Sequence, residues 1–150
     1  MKRPLAILIV VILLMNVANA LAEVSYRTVR VDDLDIFYRE AGPKDGPTIL
    51  LLHGLPSSSR MYQPLLASEL TAEYHLIAPD YPGFGHSSWP DHKNFAYSFD
   101  HLAKIVAEFT EQLHLDRYTL FMQDYGGPVG FRMGMLDMDR PHSTIAASEI

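Results

Sequence analysis

The sequence predicts an α/β fold built on a mostly parallel sheet with helices on both faces. Three observations carry that prediction. Short unbroken apolar runs at Thr48 to Leu52, Tyr74 to Ala78 and Tyr118 to Met122 have the length and flanking breakers of buried strands. A helix-period segment lies between the second and third of them. Each run also ends in a loop rich in Gly or Pro, where such sheets place their ligands.

In chain order, Val24 to Val31 and Leu34 to Glu40 alternate partially and read as two antiparallel strands joined at Asp32-Asp33. The cluster Gly42 to Pro47 is a turn. Ser57-Ser58-Ser59 precedes a predicted helix over Arg60 to Leu70. Asp80 to Asn94 is a loop. Ser98 is the expected N-cap of the clearest helix, in which Leu102, Ile105, Val106, Phe109 and Leu113 share one face. Gly126 to Leu136 is the helix after the last buried run. Ser143 to Ile150 carries little strand signal, so the sheet is expected to stop after its fifth strand and the following helix, leaving that strand's edge unpaired and sticky.

The 150 residues suit one modest domain, and 48% hydrophobic with 20% charged residues is ordinary globular composition. Net charge is −6 with no Lys/Arg run, which argues against nucleic-acid binding by phosphate neutralisation. Without cysteine there is no disulfide, thiolate metal site or thiol nucleophile. No histidine set matches a metal-binding motif, so neither metal nor other cofactor is expected.

Residues 1–22 read as a secretory signal peptide: Lys2 and Arg3, an apolar run from Leu5 to Met15, then overlapping A-x-A sites at Ala18 to Ala22. The apolar run is too short for the roughly 20 residues of a spanning helix. Cleavage would take the formal charge from −6 to −8 and deliver a secreted or periplasmic protein with no stable membrane association. Residues 23–150 then form the folded part.

Three loops hold the candidate chemistry. In His53-Gly54-Leu55-Pro56, glycine permits a tight turn and proline fixes it, which leaves the Leu55 N–H free to stabilise negative charge. Asp80 to Ser87 lacks any phosphate-loop pattern and reads as structural shaping of a rim. In Gln123-Asp124-Tyr125-Gly126-Gly127, a carboxylate stands at the end of an apolar strand, before two glycines and a helix. A sharp strand-to-helix turn would expose Asp124 and aim the Tyr125 N–H at the same site. An aspartate capping a helix is the plainer reading of that loop.

Taken together the loops resemble the α/β-hydrolase fold family, over residues of about 24 to 137. His53-Gly54-Leu55-Pro56 matches the oxyanion loop, Asp80 to Ser87 the D-x-P-G-x-G-x-S loop, and Gln123 to Gly127 the nucleophile elbow. Aspartate at the elbow resembles the branch with haloalkane dehalogenases and epoxide hydrolases. That resemblance implies Asp124 as nucleophile, the N–H groups of Leu55 and Tyr125 as oxyanion hole, and His53, Gly54, Pro56, Gln123, Gly126 and Gly127 as support. It implies a small-molecule substrate whose saturated carbon, bearing halogen or forming an epoxide, is attacked to give an ester.

Gln123 is dehalogenase-like, whereas epoxide hydrolases more often carry histidine there. Tyr125 stands where dehalogenases usually have a halide-holding tryptophan. Beyond the elbow the sequence has His142 and the acids Asp137, Asp139 and Glu149. His142 comes too early to be the family's base. The chain is therefore expected to be the N-terminal portion of such a hydrolase, without its histidine base, second acid or cap, and inactive as it stands. The alternative is a non-catalytic protein that binds partners or small molecules. Oligomeric state is not legible.

Overall fold

A computed structural model describes residues 23–137 and the backbone of 145–149. The proposed signal segment, Asp139 and His142 lie outside the described residues, as do the side chains of Asp137 and Glu149. The chain forms one six-stranded sheet in the order β1-β2-β4-β3-β5-β6. The strands are β1 Ser25–Val31, β2 Leu34–Ala41, β3 Thr48–Leu52, β4 His75–Pro79, β5 Tyr118–Met122 and β6 Ile145–Glu149. β1, β2 and β4 pair antiparallel, while β4, β3, β5 and β6 run parallel. Asp32 takes the left-handed conformation (φ 48°) that closes the β1–β2 hairpin.

The sheet continues one strand past the expected end. β6 pairs along all of β5, from Tyr118↔Ile145 to Met122↔Glu149, so the unpaired edge foreseen beside β5 does not exist. Its sequence, Ile-Ala-Ala-Ser-Glu, has one large apolar residue and is a strand by pairing rather than by pattern.

The period of two divides the core. Leu50 and Leu52 of β3 join Ile77, Leu120 and Met122 on the face covered by two helices, α2 Phe99–Gln112 and α3 Gly126–Asp137. Leu51 turns to the other face with Leu66, Leu76 and Tyr62, under the short helix α1 Gln63–Leu66. In α2, Leu102, Ile105, Val106 and Phe109 are buried as the periodicity predicts, and the Ser98 hydroxyl accepts the His101 N–H.

The helix predicted over Arg60 to Leu70 is broken. Ser59–Tyr62 and Glu69–Ala72 are 3₁₀ turns flanking α1. Ser68 ends α1: its hydroxyl donates to the Leu65 carbonyl (2.6 Å) and accepts the Leu70 N–H of the next turn.

At the end of the parallel strands away from the candidate loops lies a buried polar cluster. His75 Nε2–H donates to Glu40 Oε1 (2.8 Å), while Arg27 and Lys44 reach the same carboxylate at 2.9 and 3.2 Å. Thr48 Oγ1 lies 3.3 Å from His75 Nδ1. Burial pushes the Glu40 carboxyl up, but the hydrogen bonds from His75 and Lys44 outweigh it and hold it below its ordinary 4.5. Its stabilising contribution is therefore present above pH 4.5 and lost as pH falls through the lower folded value. Glu40→Gln should cost about 1–3 kcal/mol at neutral pH by chemical denaturation. It should also flatten the acid limb of the stability profile.

Candidate active site

The candidate loops meet because β3 and β5 are neighbours in register, with Leu52 opposite Met122. Each strand ends one residue before its loop, so His53-Gly54-Leu55 and Gln123-Asp124-Tyr125 leave the sheet side by side. Asp124 sits at φ 52°, a conformation that costs a non-glycine residue about 1–2 kcal/mol. The turn is closed by Gly126 N–H to Gln123 O and Gly127 N–H to Asp124 O, both 2.9 Å. This is a strand-to-helix elbow rather than a simple cap. Asp124 stands exposed at its apex.

Two glycines make the elbow fit. A Cβ on Gly126 would lie 2.2 Å from the Leu52 carbonyl oxygen. A Cβ on Gly54 would lie 2.6 Å from both Asp124 Cβ and Gln123 Oε1. Neither space admits a side chain, and the Gly54 gap lets the two loops touch.

The contact produces one exact convergence of donors. The Leu55 N–H donates to Asp124 Oδ1 at 2.8 Å, and the Tyr125 N–H donates to the same oxygen at 2.7 Å. The Leu55 bond, then the Tyr125 bond, hold the Asp124 carboxyl below its ordinary 3.8. The other oxygen, Oδ2, has no hydrogen bond among the described residues.

The remaining predicted residues divide. Gln123 packs on Gly54, and the Ser57 N–H closes the loop through Pro56 onto Gly54 O (3.0 Å). His53 points away, fully buried between Tyr81 and Phe84. Its Nε2 accepts the Tyr81 N–H (3.2 Å), so the proton lies on Nδ1, which donates to Gly54 O (3.1 Å). Burial pushes its pKa down. His53 is thus a neutral brace, with both nitrogens engaged.

The Asp80 loop is a clamp. Asp80, fully buried, accepts the Ser59 N–H (2.6 Å) and the His86 N–H (2.9 Å). Ser87 donates to Asp80 O (2.7 Å) and accepts the Phe37 N–H from β2 (2.9 Å). Gly85 lies where a Cβ would be 2.0 Å from Asp80 Oδ2.

Beside the elbow is a cavity of about 510 Å³, walled by Leu55, Phe84, Tyr97, Phe99, Tyr125 and Arg132. The Tyr125 ring meets Phe99 edge-on at 4.9 Å. Arg132 pairs with Asp100 and lies 5.7 Å over the Phe99 ring. Sequence reasoning missed this wall. The alternation Phe95, Tyr97, Phe99 was its one available signal. Among the described residues no group of three His, Asp or Glu side chains is placed to hold a metal ion.

Residues 47–143 match the model of the alpha/beta hydrolase fold family. The chain is 42% identical over 104 residues to an uncharacterized hydrolase of Saccharomyces cerevisiae, covering 69% of this chain and 35% of that protein. It is 36% identical over 108 residues to a haloalkane dehalogenase of Psychrobacter cryohalolentis, covering 72% and 35%. Among solved structures it resembles the epoxide hydrolase CorEH (TM-score 0.73, 25% identity, 85% of this chain and 43% of that one). It also resembles the haloalkane dehalogenase DatA of Agrobacterium tumefaciens (TM-score 0.70, 28% identity, 83% and 40%). The chain spans about 35% of the length of the curated relatives it matches.

The Gly54 contact carries a prediction. Gly54→Ala should push the two loops apart and release the Leu55 N–H from Oδ1. The Asp124 carboxyl, followed by carbon-detected NMR titration, should then rise toward 3.8 from below. The chain belongs to the alpha/beta hydrolase fold family.

Proposed function

We propose that Asp124 is the nucleophile of a hydrolase acting on saturated carbon that bears a halogen or forms an epoxide. The observation that carries this reading is the unequal state of the two Asp124 oxygens. Oδ1 holds both backbone donors, and Oδ2 is free to attack. A carboxylate kept ionised is competent without a base for this first step. Attack through Oδ2 forms a C–O bond while the carbon–halogen or carbon–oxygen epoxide bond breaks. The leaving atom departs with the electron pair, as halide or as an alkoxide that takes a proton from solvent.

The product is an ester whose carbonyl oxygen is Oδ1, already between the N–H groups of Leu55 and Tyr125. Water attacking the Asp124 carboxyl carbon would place negative charge on Oδ1, where those donors would stabilise it. The second step needs a base, and His53, His75 and His101 do not suit it. His53 is occupied, His75 lies at the far end of the parallel strands, and His101 Nδ1 bonds Ala96 O. The elbow as described thus supports ester formation without help from a base.

The names of the relatives, haloalkane dehalogenase and epoxide hydrolase, fit electrophiles of this kind. An export signal over residues 1–22 would place the reaction outside the cytoplasm. Incubation of the protein with 1-bromobutane or styrene oxide should give a covalent adduct, located on Asp124 by peptide mass mapping. Asp124→Asn should give none. An unmodified Asp124 with both electrophile classes would overturn the reading.

A further inference from the structure

The cavity beside Leu55 and Tyr125 does not end at its own walls. Phe84 and Tyr97 line it on one side and also line a second cavity of about 600 Å³. The second cavity continues over Gly83, Trp89 and Pro90, with Asp91, His92 and Lys93 at its polar side. Phe84 and Tyr97 thus border both cavities, with Tyr125 lining the first and Trp89 the second. Phe84 and Tyr125 are 6.5 Å apart and meet edge-on.

Trp89 is the only tryptophan in the sequence, and it is 73% exposed. Tyr97 and Leu55 are also exposed, at 43% and 49%. Large rings left in water at the mouth of a groove mark a surface that gains by being covered.

The segment that presents them is tied down. The Tyr97 hydroxyl donates to Pro90 O (2.7 Å), which fixes the ring against the Trp89 turn. Gly83 N–H donates to Ser88 O (2.9 Å), and a Cβ on Gly83 would lie 2.6 Å from Tyr97 Cε1. Gly83 also has φ 82°, so its position favours glycine twice over. Asp91 accepts the Lys93 N–H through its side chain and the N–H groups of Asn94 and Phe95 through its carbonyl. A preorganised aromatic wall binds at lower entropic cost than a loop that must order first.

We propose that this groove is the subsite for the distal part of the substrate, and that it selects substrates in which an aryl group is joined by a short chain to the reacting carbon. The proposal rests on the assignment of Asp124 for which end of the ligand sits at the elbow. Binding in the groove does not depend on that assignment. The rings provide faces and edges for an aryl tail, whose quadrupole they complement. A substrate of two or three carbons would occupy only part of the first cavity and leave Trp89 untouched.

The test uses an unreactive alcohol, the product class, so that binding is read apart from chemistry. The full protein is titrated with 4-phenyl-1-butanol and, separately, with 1-butanol. Trp89 emission is isolated as the difference between wild type and Trp89→Phe. The aryl alcohol should change that emission saturably, and 1-butanol should not at the same concentrations. Trp89→Ala should weaken aryl-alcohol binding, followed by calorimetry, roughly two- to tenfold, the worth of one aromatic contact.

No saturable change in Trp89 emission overturns the proposal, as does equal response to both alcohols. The same holds if Trp89→Ala binds the aryl alcohol as tightly as wild type, and if another part of the protein already covers Trp89. Aryl-alcohol binding with no covalent adduct on Asp124 would leave the groove standing and remove the nucleophile assignment.

Discussion

Two backbone N–H groups from different loops converge on one carboxylate oxygen, and the rest of the site is arranged around that meeting. Leu55 and Tyr125 are 70 residues apart in sequence, yet both donate to Asp124 Oδ1 within 2.8 Å. The convergence requires β3 and β5 to be adjacent, parallel and in register at Leu52 and Met122. It also requires a residue without a side chain at Gly54, because any Cβ there would collide with Asp124. A third requirement is the left-handed turn at Asp124, held by the Gly126 and Gly127 N–H groups. A residue held at such a φ persists only where the surrounding structure over-determines it, as the two loops do here.

The frame around the elbow is polar and closed. The Asp80 side chain is fully buried, and backbone donors from Ser59 and His86 satisfy its two oxygens. The Ser59 hydroxyl in turn accepts from buried Arg39 (3.1 Å), so a guanidinium stands one residue away from the carboxylate. His53 bridges the loop after β3 to the loop after β4 through Gly54 O and the Tyr81 N–H. Each of the three loops is thereby tied to another, and Asp124 is placed by the sheet rather than by its own chain segment alone.

Much of this was legible in the sequence, for identifiable reasons. The runs Thr48 to Leu52 and Tyr118 to Met122 matched their strands residue for residue, because buried parallel strands are apolar on both faces. The turns that bring Leu55 and Tyr125 to Asp124 were legible from Gly54 and Pro56 after β3 and Gly126 after β5, residues that permit sharp turns. What pattern alone could not supply was set by partners distant in sequence. β6 exists by pairing with β5, and the helix over Arg60 to Leu70 is cut by the local hydrogen bonds of Ser68. The brace at His53 depends on a donor 28 residues on, and the groove wall depends on Tyr97 folding back to Pro90.

The most direct test of the account is the fate of solvent oxygen. In a single turnover in oxygen-18 water, attack at the ester's carboxyl carbon must leave heavy oxygen in the Asp124 side chain. The peptide carrying Asp124 should therefore gain the label. Heavy oxygen found only in the alcohol product, with Asp124 unlabelled, would mean that water attacks the substrate directly. The paired donors on Oδ1 would then have another purpose.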